Sequence, residues 1–131
     1  MSFSKGTQIL TIDGWMKIED LAPGEKLWGG GGINKVKHIH RIMESPLLLT
    51  GEGIKLKCTS LQTLGIGKGL SIVAKEAIGE ELSFIQMGEE QKPIFRSIKK
   101  TKGILACYDI IIEGDYYVRV GEETGVLIYN S

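Results

Sequence analysis

Two residues near the extremes of the 131-residue chain carry side chains that can rearrange their own backbone: Ser2, which follows Met1, and Asn130, which precedes Ser131. A serine hydroxyl can attack the carbonyl on its amino side and turn that amide into an ester. An asparagine side-chain amide can attack its own backbone carbonyl, closing a succinimide and cutting the bond that follows. Both are intramolecular acyl transfers, and a fold that holds the groups in attacking geometry can supply effective molarities of order 10⁵ M or more. Alone, the two residues prove nothing, because serine after an initiator Met and a polar tail are both common. The thiols and imidazoles of the chain are those of Cys58, Cys107, His38 and His40.

Positioning such groups falls to short strands. Apolar residues recur with period two or in short runs, separated by clusters of Gly, Asp or Asn, which is the pattern of an all-β domain. The pattern predicts strands over 8–11, 15–17, 26–28, 36–43, 54–58, 63–66, 70–73, 81–84, 94–99, 105–112, 116–120 and 126–129. Two brief helical turns fit between them, at 18–21 before Pro23-Gly24 and at 74–78 before Gly79. With 18 Gly, about twice the usual ~7 % share, the chain is suited to tight turns. The run Gly29–Gly32 reads as a wide hairpin turn or a linker. The hairpin is preferred, because strand character resumes at once and 28 residues are too few for a domain. Residues 87–93 are polar and breaker-rich and read as an exposed loop. His38 and His40 fall on one face of the 36–43 strand and read as surface or packing residues, or as residues one of which approaches the site in the folded state. Trp15, Trp28, Phe3, Phe84 and Phe95 read as core.

The length suits one domain, 1–131, with a core that needs no staples, so Cys58 and Cys107 are not a disulfide framework. Sixteen basic residues balance sixteen acidic ones, which argues against nucleic acid or a membrane surface as partner. No apolar stretch approaches the ~20 residues that span a bilayer, and the first residues lack a signal peptide's order. The expectation is a cytoplasmic monomer with reduced thiols.

The residues around the ends resemble a known signature. Ser2-Phe3-Ser4-Lys5-Gly6-Thr7, the strand Gln8–Thr11, Asp13-Gly14 and the turn leading into Pro23-Gly24-Glu25-Lys26-Leu27 are similar to the N-terminal block of the Hint superfamily, the self-splicing inteins and Hedgehog autoprocessing domains. Ile54–Gln62 resembles the strand carrying that family's Thr-x-x-His motif, Gly69–Leu82 its continuation, Cys107–Gly114 the late Val-Tyr-Asp block, and Gly125–Ser131 the final block ending in Asn and a nucleophile. The resemblance implies an all-β horseshoe of short, mostly antiparallel strands. It also implies autocatalytic protein splicing without a cofactor or metal, acting on the chain's own flanking segments. The segment from Leu82 to Ala106 is too short for a homing endonuclease.

Carried over residue by residue, the resemblance makes Ser2 the first nucleophile, Thr59 the group that holds or polarises the Met1–Ser2 bond, and Asp109 the acid or base that couples the ends. Asn130 is then the cyclising residue and Ser131 the downstream nucleophile. Three positions where the family commonly has histidine differ: Gln62, Tyr116 and Tyr129. Gln62 could donate a hydrogen bond to the scissile amide but not protonate it, and Tyr129 could donate to the Asn130 carbonyl. Losing these imidazoles removes the side chains that titrate nearest neutrality. Ser2 is itself a minority choice where Cys, the better nucleophile, is usual, and it is either native or a replacement for Cys. Some members use an internal Cys at the position held here by Asp109, and Cys107 reads either as a nucleophile on that face or as a buried small hydrophobe. Competing readings are a degenerate Hint domain that cuts slowly or at one end, and a small β interaction module without chemistry.

Overall fold

The computed structural model describes residues 1–89 and 91–129. Fourteen strands occupy these residues: β1 Phe3–Ser4, β2 Gln8–Thr11, β3 Gly14–Lys17, β4 Lys26–Trp28, β5 Ile33–Glu44, β6 Leu47–Gly51, β7 Ile54–Cys58, β8 Thr63–Gly67, β9 Leu70–Val73, β10 Phe84–Gln86, β11 Phe95–Lys100, β12 Leu105–Ile112, β13 Asp115–Arg119 and β14 Thr124–Tyr129. Single 3-10 turns at Ile18–Asp20 and Ala74–Glu76 take the places of the two predicted helical turns.

The strands form one curled sheet in the order β10-β14-β13-β2-β4-β5-β12-β1-β7-β6-β11, with β3 added to β2 and the β8-β9 hairpin separate. Every pairing is antiparallel. The twelve-residue β5 joins the two halves: Ile33–Lys35 pair with β4, and Val36–Glu44 pair with β12. A register shift between Ile111 and Ile112 sits where β5 passes from one half to the other, and such irregularities bend a sheet. The two halves curl around one core that includes Phe3, Ile9, Leu49, Phe95, Ile110 and Val126.

Gly29–Gly32 closes the β4-β5 hairpin, with the Gly29 N–H donating to the Gly32 carbonyl over 2.6 Å. Glycine is required at position 29 because a Cβ there would lie 2.8 Å from the Asp115 carbonyl oxygen. Gly29→Ala is therefore expected to destabilise the fold by about 1–3 kcal/mol, as overpacking does. Gly31, whose Cβ direction is open, should tolerate alanine. Denaturant midpoints of the two variants check this, and equal midpoints would show that the hairpin yields freely.

Three features depart from the pattern reading. Phe3–Ser4 and Leu47–Gly51 are strands that periodicity did not reveal. Residues 81–83 are not a strand, and β10 starts only at Phe84. Ser83 spends its backbone groups singly, donating to Gly65 and accepting from Leu127, and so belongs to no ladder. Trp28 is 42 % exposed, paired with Ile33 at the turn end of its hairpin, and is not core. No helix among the described residues is long and apolar enough to cross a membrane.

Candidate active site

The site is built on β1, a two-residue strand between β12 and β7. Its brevity follows from Gly6, which turns the chain at φ +91° directly after Ser4-Lys5. Phe3 lies opposite Tyr108 on one side and Cys58 on the other, and Ser4 lies opposite Cys107. One further step along that register sets Ser2 opposite Asp109. On the other side, the Thr59 N–H donates to the Ser2 carbonyl over 2.9 Å. The Ser2 N–H, which belongs to the Met1–Ser2 amide, donates to Thr59 Oγ1 over 3.0 Å. Thr59 thus grips the amide that the sequence marks as scissile from its nitrogen side.

Ser2 is fully buried, and its Oγ is the one buried side-chain polar atom among the described residues without a hydrogen-bond partner. A buried unpaired hydroxyl costs stability, about 1–3 kcal/mol, and native folds keep few of them. Such an atom is free to aim at a neighbouring carbonyl.

Asp109 is half-buried on β12. Burial raises its carboxyl above the usual carboxylate range, while the Met1 ammonium and the His40 side chain pull it back down. Tyr116 is buried nearby, and burial together with the Asp109 charge raises its phenol, so it stays a neutral hydroxyl. Tyr116 therefore cannot replace a histidine that titrates near neutrality.

Gln62 is buried, and its side-chain amide donates to the Thr63 carbonyl over 3.0 Å. That bond turns the donor to its own neighbour, not to the Ser2 amide as the sequence suggested. The backbone still links the two, since the Gln62 N–H donates to the Thr59 carbonyl. Tyr129 is half-buried at the end of β14, opposite Asp115. Its ring packs on Gly65, where a Cβ would come within 2.8 Å of Tyr129 Cε2. Tyr129 also borders a cleft of about 440 Å³ lined by the glycine hairpin, Asn34 and Gly114. Asn130 and Ser131 lie outside the described residues.

Cys107 alternates with Asp109 and shares its face, as expected, but is fully buried. Burial, followed by the Glu44 carboxylate, raises its thiol despite the Met1 ammonium. Cys58 is free and buried, its thiol pushed up to about 12 chiefly by burial. Both are poor thiolates, which favours the packing reading. His38 and His40 are exposed on one face of β5, their rings edge-to-face at 4.5 Å. The sequence reading made them surface or packing residues and left open that one could approach the site; His40 lies directly opposite Asp109. Only strand pairing could have revealed it.

The whole trace, and not the site alone, matches solved structures. It superposes on a bacterial intein-like domain from Clostridium thermocellum with a TM-score of 0.75, covering 98 % of each chain at 20 % identity. On the gp41-1 intein the TM-score is 0.74, again over 98 % of each chain, at 15 % identity. The fold is that of an intein. A third match, to the DnaX mini intein from Spirulina platensis, has a TM-score of 0.70 at 18 % identity over 99 % of this chain and 100 % of that one. No protein-family model and no curated protein sequence matches the chain. The intein fold explains why β1 is central: the first strand is inserted between β12 and β7, which brings the start of the chain against Asp109.

Proposed function

We propose that the chain is an autocatalytic protein-splicing domain that excises itself and joins the segments on either side. The observation that carries this reading is Ser2: a buried, unpartnered hydroxyl beside an amide held by Thr59 and opposite Asp109, in an intein fold. The Ser2 Oγ attacks the Met1 carbonyl carbon, the bond to the Ser2 nitrogen breaks, and Asp109 carries the hydroxyl proton to that nitrogen. Ser131 Oγ takes the acyl group from the resulting ester. Asn130 then cyclises with help from Tyr129, and the freed ester returns to an amide. None of these steps calls for a metal or cofactor. The partners are the chain's own flanking segments, and the domain acts as a cytoplasmic monomer.

One observation favours a slower, one-sided variant. Gln62 stands at the family's histidine position with its amide turned to Thr63, so the upstream step lacks an obvious acid. Fusing a foreign domain to each end and following products by gel and mass spectrometry decides between them. Ligated flanks support splicing, cleavage at one bond supports the one-sided reading, and intact precursor even with Ser2→Cys overturns both. Gln62→His is expected to speed upstream cleavage by about a hundredfold, the low end of general acid catalysis. No gain would show that position 62 does not face the scissile amide.

A further inference from the structure

We infer that His40 is a positioning residue of this site, supplying the positive charge that Asp109 faces when it accepts the Ser2 proton. The inference rests on the splicing reading and assigns a role to a side chain outside every motif of the family signature. Its ground is register: His40 pairs directly with Asp109 across β5 and β12. Directly opposite residues share a face with Cβ atoms about 5 Å apart. On the far side of β12, the paired stretch with β1 ends at Phe3–Tyr108, and Ser2 and Asp109 are the next residue on each chain segment. His40 and Asp109 face each other on β5 and β12, and Ser2 and Thr59 are the residues flanking β1 and β7, joined to each other by the Ser2 N–H bond to Thr59 Oγ1.

His40 is exposed to solvent, and an imidazolium there would stand directly across from the Asp109 carboxyl. A cation within about 4–6 Å lowers a carboxyl by 1–3 pKa units, which opposes the burial that raises Asp109. The Met1 ammonium now shares this task, but in a precursor that nitrogen is a neutral amide. Other titratable groups nearby do not replace it. On β5, His38 and Glu44 share the His40 face, but His38 stands opposite Ile111 and Glu44 opposite Leu105. Cys107 on β12 and Tyr116 on β13 are held neutral by burial. Lys57 lies on β7, two strands from β12. In the acyl shift Asp109 takes the Ser2 hydroxyl proton and returns it to the departing nitrogen, so the step is proton-neutral. Asp109 must begin ionised, and a facing cation favours that form.

The test uses the full chain fused to a foreign domain at each end. In His40→Gln, the acid limb of the upstream cleavage rate should move to higher pH by about one unit. His40→Lys, which keeps the charge, should hold the limb near its original place. A limb that does not move in His40→Gln, or moves as far in His40→Lys, overturns the inference. If the parent precursor does not cleave, the splicing reading fails. The carbon-13 titration of the Asp109 carboxyl in the same fusion then decides alone: a midpoint about one unit higher in His40→Gln supports the role of His40, and an unchanged midpoint overturns it.

Discussion

Ser2→Ala abolishes cleavage at the Met1–Ser2 bond and at the same time raises stability by about 1 kcal/mol. The two effects have one cause. Ser2 Oγ is buried without a partner, so the folded state bears the desolvation of a hydroxyl that gains nothing in return. Alanine removes that atom while leaving the backbone bonds to Thr59 in place. A site that stores instability in its reacting group shows the usual conflict between stability and activity. Ser2→Cys should instead keep the bond labile and speed the first step, because a thiolate is the stronger nucleophile. Urea unfolding of the alanine variant and a gel of the fused precursor check the pair. Lower stability would mean that the hydroxyl is satisfied in solution, and persistent upstream cleavage would remove Ser2 from the mechanism.

Asn130→Ala abolishes release of whatever follows the chain. Only an amide side chain one carbon removed from the backbone can close the five-membered succinimide, and alanine has no nucleophile. The ester formed at Ser131 should then accumulate, seen as a branched species that hydroxylamine cleaves. Asn130→Asp should slow release, since a carboxylate is a poorer attacking group than the amide in this cyclisation. Release at an unchanged rate from the alanine variant would show that the downstream bond breaks by another route. Together the two substitutions separate the ends: Ser2→Ala stops the upstream cut, and Asn130→Ala stops the downstream one.

The strands were mostly legible before folding because a half-buried strand writes its two faces into alternation. In β7 the order Ile54, Lys55, Leu56, Lys57, Cys58 alternates buried and exposed. β6 escaped notice because Leu47, Leu48 and Leu49 form an unbroken apolar run. β1 escaped because two residues carry no period. Trp28 misled because a large aromatic was assigned to the core without knowing that it sits exposed beside the glycine turn of its hairpin.

Ser2 and Asn130 could be picked out as candidates from residue type and place, since the chemistry of an acyl shift depends on covalent neighbours that the sequence displays directly, whereas Thr59 and Asp109 entered only through the resemblance to the Hint signature. Which groups face them could not. The pairing of His40 with Asp109 and the burial of Ser2 Oγ without a hydrogen-bond partner are set by contacts between segments far apart in the chain. A one-residue change of register moves every side chain to the opposite face. Alternation therefore said that His38 and His40 share a side, and only the folded sheet decided that this side is the one that holds Asp109.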